Sequence, residues 1–155
     1  MTRHVIETKG LTKHYGDVKA LDGLDLAIPE HAIVGFLGPN GAGKSTTIKL
    51  LLGLIQPTAG HGSIFGLNIS KDSREIRRRV GYLAQQPHFY QTMTTREVLD
   101  FTARFFYTGP EQAIQRRVDA MLELVGLEDK ANRPIKGFSG GERQRLGIAQ
   151  AQINH

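Results

Sequence analysis

Residues 38–46 read Gly38-Pro39-Asn40-Gly41-Ala42-Gly43-Lys44-Ser45-Thr46. A glycine, four residues, then Gly-Lys-Ser is the spacing of a phosphate-binding loop. The chemistry needs these residue types in this order. Glycines at 38, 41 and 43 allow backbone angles that other residues avoid. Successive N–H groups can then point inward as a nest for phosphate oxygens. Lys44 supplies a point charge for the β- and γ-phosphates, and the Ser45 hydroxyl is placed to coordinate Mg²⁺. A helix starting near Gly43 turns its positive end toward the same point. The flanks have the order the motif requires. Ala32-Ile33-Val34-Gly35-Phe36-Leu37 is an apolar run that reads as a buried parallel strand. Thr46 to Leu52 reads as a helix closed by Gly53. Strand, loop and helix together predict a nucleoside triphosphate site.

Working outward, residues 4–30 read as antiparallel strands. Val5–Leu11 and Leu24–Ile28 are the candidates, with turns at Asp22-Gly23 and Pro29-Glu30. Beyond the loop helix, Gln56-Pro57-Thr58-Ala59-Gly60 is a breaker ahead of a short strand at 62–65. A basic helix over 73–79 and a strand at Val80–Ala84 follow. From residue 87 the pattern becomes helical. Thr94 and Glu97 have capping-box spacing, ahead of an apolar face of Val98, Phe101 and Phe105 with Leu99, Thr102 and Phe106. Gly109-Pro110 opens another helix with Pro at its first position, striped by Ile114, Val118, Met121, Leu122 and Val125 and ended by Gly126. Such stripes serve core packing rather than ligands.

The second informative segment is Phe138-Ser139-Gly140-Gly141-Glu142. Ser139 and Glu142 make a capping box ahead of a helix that turns Leu146, Ile148, Ala149 and Ile153 inward. Taken alone this is a well-made helix start. Two glycines, a hydroxyl and a helix dipole at one point also suit an anion, on a chain that already has one anion site.

Composition bounds the rest. The 155 residues are 39% hydrophobic and 23% charged, carry a formal charge of +5 and contain no cysteine. Disulfides and cysteine-based zinc sites are therefore excluded, and a reducing compartment fits. No apolar run reaches the 18 or so residues of a membrane helix. The basic residues are scattered, which suits a solvated surface better than a nucleic-acid face.

The two glycine motifs together resemble the nucleotide-binding domain of ABC transporters, with Walker A at Gly38–Thr46 and the signature at Ser139-Gly140-Gly141-Glu142. Tyr15 matches the family's adenine-stacking aromatic, and Gln85 matches its Q-loop glutamine, a Mg²⁺ and water contact. The resemblance runs from about residue 4 onward and implies an α/β fold. That fold has a P-loop NTPase core with an N-terminal antiparallel β subdomain and an α-helical subdomain, incomplete at the C-terminus. The implied divisions are residues 1–86 for the core half with Walker A, 87–137 for the helical subdomain, and 138–155 for the signature and its helix. It further implies ATP and Mg²⁺ as cofactors and a head-to-tail dimer. In that dimer Ser139, Gly140 and Gly141 face the γ-phosphate held by the partner's loop. A transmembrane permease subunit is expected to dock near Pro87–Met93, where Phe89, Tyr90 and Met93 read as exposed. The expected location is peripheral, on the cytoplasmic membrane face, with no nucleic-acid partner.

Phe138 and Glu142 depart from the family's commonest Leu and Gln at the signature ends. No Asp or Glu follows Glu142, so the family's Walker B aspartate, catalytic glutamate and switch histidine are not matched. The expectation is an ABC-type ATPase subunit for export, of which this stretch binds ATP without hydrolysing it. A soluble ABC-type ATPase acting on ribosomes or DNA is the alternative. A phosphoryl-transfer kinase would need Walker A but not the signature.

Overall fold

The computed structural model describes residues 3–154. They divide into two compact units between Arg77 and Arg78.

The first unit is built on a long hairpin of β1 (His4–Tyr15) and β2 (Val18–Pro29). With β3 (Ala59–Ile64) and β4 (Leu67–Asn68) these form a four-stranded antiparallel sheet in the order β2-β1-β3-β4. The tight turn falls at Gly16-Asp17, between the paired Tyr15 and Val18. Asp22-Gly23, expected as a turn, instead lies inside β2 at a shift in the ladder, with Gly23 at φ 64°. A glycine in the left-handed region makes a bulge when pairing continues on both sides of it. Here the Thr12 hydroxyl accepts from the freed Gly23 N–H at 3.0 Å and donates to the Gly10 carbonyl at 2.9 Å. Where β3 crosses β1, a Cβ on Gly60 would lie 2.1 Å from the Gly10 carbonyl oxygen, so a side chain there is excluded.

Helix α1 (Lys44–Leu51) packs on β2 and β3 and buries Thr47, Leu50 and Leu51. Its C-terminal carbonyls are met by Arg77, which donates to the Leu52 oxygen at 2.9 Å. Helix α2 (Ser73–Arg79) buries Ile76 and coincides with the expected basic helix.

Two expected strands do not form. Residues 32–38 and 80–84 are extended or irregular, without ladder partners among the described residues. Ile33 and Leu37 are almost wholly exposed. A parallel strand is stable only between neighbours that take its hydrogen bonds and cover both faces. An apolar run encodes the demand for such neighbours, and none stands beside this one in the described residues.

The second unit is helical. It comprises α3 (Thr95–Ala103), α4 (Glu111–Val125) and α5 (Gly140–Gln152), with short 3₁₀ turns at Glu128–Lys130 and Ile135–Gly137. One core gathers Leu99, Val118, Leu122, Leu127, Ile135, Leu146 and Ile153, all essentially without solvent access. Burying each such side chain contributes about 1.5–3 kcal/mol. The capping box at Thr94 and Glu97 is present, and Gly126 caps α4 in the left-handed conformation. Pro110 stands at the N-cap of α4, one residue before its expected place. The face of α3 is narrower than the periodicity suggested. Val98, Leu99, Thr102 and Ala103 are buried, whereas Phe101 and Phe105 are exposed and stack edge to face on each other at 5.1 Å. In α5, Ile148 likewise points outward. Helices α3, α4 and α5 pack on one another, and on α3 the aliphatic side chains rather than the Phe101 ring take that contact. The far end of α5 is tied down by Arg117 and Tyr107, each donating to the Ile153 carbonyl at 3.0 Å.

Candidate nucleotide-binding site

The loop at 38–42 is exposed and leads into α1 through two left-handed glycines, Gly41 and the half-buried Gly43, both at φ 85°. Gly43 is the N-cap residue of α1 and offers no side-chain cap. It is also confined, since a Cβ would stand 2.7 Å from the Ala20 carbonyl oxygen of β2. Only glycine satisfies both the angle and the space. Inside the helix, the Thr47 amide and hydroxyl donate to the Gly43 carbonyl at 2.8 and 3.0 Å. The first turn contains no acidic residue. The helix therefore presents its first N–H groups and positive dipole end to the loop without an internal carboxylate to use them.

Lys44 lies across this opening. Its ammonium donates to the Gly38 carbonyl at 2.5 Å and the Pro39 carbonyl at 2.7 Å. Those bonds curl the loop and hold the cation over it. A bound polyphosphate would exchange two neutral carbonyls for charged oxygens, a stronger class of hydrogen bond. Ser45 is exposed on the first turn of α1. The uncapped amides, the two left-handed glycines and the free rim of the loop fit a triphosphate cradle. Lys44 would hold its outer phosphates and the Ser45 hydroxyl would face its cation. Such a cation supplies charge neutralisation of the phosphates.

Tyr15 closes the β1–β2 hairpin with half its surface exposed. Lys13 sits 5.0 Å from its ring centroid, so one ring face carries a cation. Tyr15, Lys44 and Ser45 all belong to the first unit. Gln85 belongs to the second and is exposed in the irregular segment after residue 80. Of the three apolar side chains expected at the surface over 87–93, Tyr90 is strongly exposed. Phe89 and Met93, expected at the surface, pack against the helical core. Gly147 of α5 closely approaches Leu83 and Pro87, which seats residues 83–87 on that helix.

The signature segment has the opposite character to the loop. Ser139 is the N-cap of α5, and both bonds of the capping box are present. The Glu142 carboxylate accepts from the Ser139 amide at 2.7 Å, while the Ser139 hydroxyl accepts from the Glu142 amide at 3.3 Å. Gly140 and Gly141 have open space where a side chain would stand. Lys130 completes the cluster at 2.9 Å from the Glu142 carboxylate. Hydrogen bonding from Lys130, then from Ser139, holds the Glu142 carboxyl down at about 2. Lys130 was not legible as a site residue, because its partner is reached only through the turn at 128–130. The one signal was a carboxylate at the end of a glycine-rich anion motif, which requires a counter-ion.

Open grooves of about 630 and 680 Å³ lie on the sheet face around Glu7, Asp25 and His61 and beside α3 around Met93, Phe101 and Arg104. Neither is lined by residues of the loop.

The ABC transporter family model matches residues 21–155. The chain is 44% identical to the bacitracin transport ATP-binding protein BcrA of Bacillus licheniformis, over 97% of this chain and 48% of that protein. It is 35% identical to the daunorubicin resistance ATP-binding protein DrrA2 of Streptomyces coeruleorubidus, over 99% of this chain and 47% of that protein. Among solved structures, the dimeric bacterial ABC transporter cassette MJ0796 superposes with a TM-score of 0.86 at 31% identity, covering 96% of this chain and 69% of that one. The same cassette in a post-hydrolysis dimer bound to ADP and Pi gives 0.85 at 30% identity. The chain belongs to the ABC transporter family, and its fold is that of the ABC ATPase cassette. It spans about half the length of the curated relatives it matches. No helix among the described residues is long and apolar enough to cross a membrane.

Proposed function

We propose that this chain forms the ATP-binding part of an ABC transporter subunit that couples ATP binding and hydrolysis to export of a substrate. The observation that carries this reading is the start of α1. A helix N-terminus without a side-chain cap opens into a glycine loop, with Lys44 poised above it at 2.5 and 2.7 Å from loop carbonyls. In this reading Gly38, Pro39, Asn40, Gly41, Ala42 and Gly43 wrap the phosphates with backbone amides. Lys44 and Thr46 complete the cradle, Ser45 and Gln85 hold Mg²⁺, and Tyr15 stacks on the base. An aromatic stack of that kind contributes about 1–3 kcal/mol and tolerates different bases.

Hydrolysis is assigned to a head-to-tail dimer. Ser139, Gly140 and Gly141, with Glu142 behind them, face the γ-phosphate carried by the partner's loop. Lys44 and Gln85 act on the reacting phosphate and the water. A permease subunit docks near Pro87–Met93, with Tyr90 as the exposed aromatic, and places the assembly on the cytoplasmic face of the membrane. Relatives that carry the words bacitracin transport and daunorubicin resistance support export. Nothing in the chain or its relatives favours a soluble ATPase on ribosomes or DNA. In this reading the stretch 1–155 supplies the binding element, and hydrolysis belongs to the complete subunit.

The test has two arms. A fluorescent ATP analogue binds the 155-residue chain, and Lys44→Ala removes the signal. The complete subunit with its permease releases phosphate, whereas the 155-residue chain does not. Steady phosphate release from the short chain, abolished by Lys44→Ala, would overturn its assignment as a binding element.

A further inference from the structure

We propose that Lys130 is a positioning residue for the signature segment, neutralising and aiming the Glu142 carboxylate so that Ser139 offers its hydroxyl proton to phosphate. The inference rests on the composite ATP site proposed above.

The geometry assigns each atom one task. One Glu142 oxygen is 2.9 Å from the Lys130 ammonium, and the other accepts from the Ser139 amide at 2.7 Å. The Ser139 oxygen accepts from the Glu142 amide at 3.3 Å. The Ser139 hydroxyl also hydrogen-bonds the Glu142 side chain and helps hold that carboxyl down, so what it offers outward depends on where the carboxylate is drawn. The donors at this end are that hydroxyl and the glycine amides, and all depend on where Glu142 stands.

Charge decides why a lysine is needed. A carboxylate beside an incoming triphosphate repels it, and the repulsion grows where water is scarce. The Glu142 side chain retains 13% of its exposure and the Lys130 side chain 27%, so solvent screens this pair less than an open surface pair. Among the described residues, three nearby arginines bond other groups. Arg133 donates to the Gly137 carbonyl at 3.2 Å, Arg145 to the Val125 and Gly126 carbonyls at 3.2 Å, and Arg143 reaches Gln91 at 3.4 Å. Lys130 itself is fixed by its turn. Leu127 and Ala131 on either side are buried, and the Lys130 amide donates to the Leu127 carbonyl at 3.1 Å. The depressed Glu142 carboxyl, for which Lys130 is the largest cause, agrees with this arrangement.

The experiment measures steady-state ATP hydrolysis by the complete subunit with its permease, comparing wild type, Lys130→Met, Lys130→Arg, Glu142→Gln and Lys130→Met/Glu142→Gln. Gln keeps an acceptor for the Ser139 amide and carries no charge, so it needs no counter-ion. Lys130→Met raises KM for ATP about tenfold, the scale of one charge-assisted hydrogen bond, with kcat changed about twofold or less. Lys130→Arg keeps KM within about threefold of wild type, and the double variant matches Glu142→Gln alone. A merely structural lysine would instead lower the active fraction, and so kcat, equally with and without Glu142→Gln. That result, or an unchanged KM in Lys130→Met, overturns the assignment of Lys130 while leaving the ATPase reading intact. A wild-type subunit without Lys44-dependent hydrolysis overturns the composite site and this proposal with it.

Discussion

Two helices in this chain begin on glycine-rich turns, and they solve the same problem in opposite ways. At α1 the cap is Gly43, which brings no oxygen of its own, and the first-turn amides stay open under the Lys44 ammonium. At α5 the cap is Ser139, and Glu142 and Lys130 fill the helix end with an internal carboxylate and its counter-ion. An open helix end is a cradle awaiting charge from outside. A filled one is stable by itself and spares only its outward donors. The contrast fits the composite dimer site proposed above, with one half receptive and the other rigid.

The sharpest way to break the comparison is to close the open end. Gly43→Val forces a branched side chain to φ 85° and against the Ala20 carbonyl. The angle alone costs about 1–3 kcal/mol, and binding of a fluorescent ATP analogue disappears together with a fall in melting temperature. Lys44→Ala separates the two effects. It weakens nucleotide binding about 10–100-fold, from the loss of charge-assisted bonds, with little change in melting. If affinity is unaltered, the open end is no cradle.

Smaller effects sharpen the filled end. Ser139→Ala and Thr94→Ala each remove an N-cap oxygen and should each cost about 1 kcal/mol of stability by thermal unfolding. Only Ser139→Ala should also impair ATP turnover by the complete subunit, and equal turnover in both variants would reduce Ser139 to a cap. Smallest is the response to acid. Glu142 is held near 2 in the folded chain against an ordinary 4.5. A depressed carboxyl stabilises the fold fully above its unfolded value and loses that contribution as pH falls from about 4.5 toward 2. Glu97, lowered by its bonds to Thr94, acts in the same direction. Acid unfolding of Lys130→Met, followed by circular dichroism, should therefore begin at higher pH than in wild type.

The open end was legible in the sequence because every requirement on it is local. Gly41, Gly43, Lys44 and Ser45 are neighbours in the chain, and their backbone angles are dictated by residue type. Capping at Thr94 and Ser139 was legible for the same reason, since cap and acceptor stand three residues apart. Apolar runs were less faithful guides. Ala32–Leu37 has the composition of a buried strand yet lies exposed, and Phe101, Phe105 and Ile148 stay outside the helical core. Hydrophobicity states what a segment would gain from a neighbour, but not whether a neighbour is there.

By itself the sequence determined the phosphate loop, the capped signature helix, the antiparallel opening strands and the helical character after residue 87. Each follows from spacings of a few residues, where covalent geometry leaves little choice. Tertiary structure alone decided that Asp22-Gly23 bulges rather than turns, that Phe89 and Met93 pack inward, and that Lys130 stands on Glu142. Those outcomes depend on which distant surfaces meet, and contacts across many residues are settled by packing rather than by any local preference.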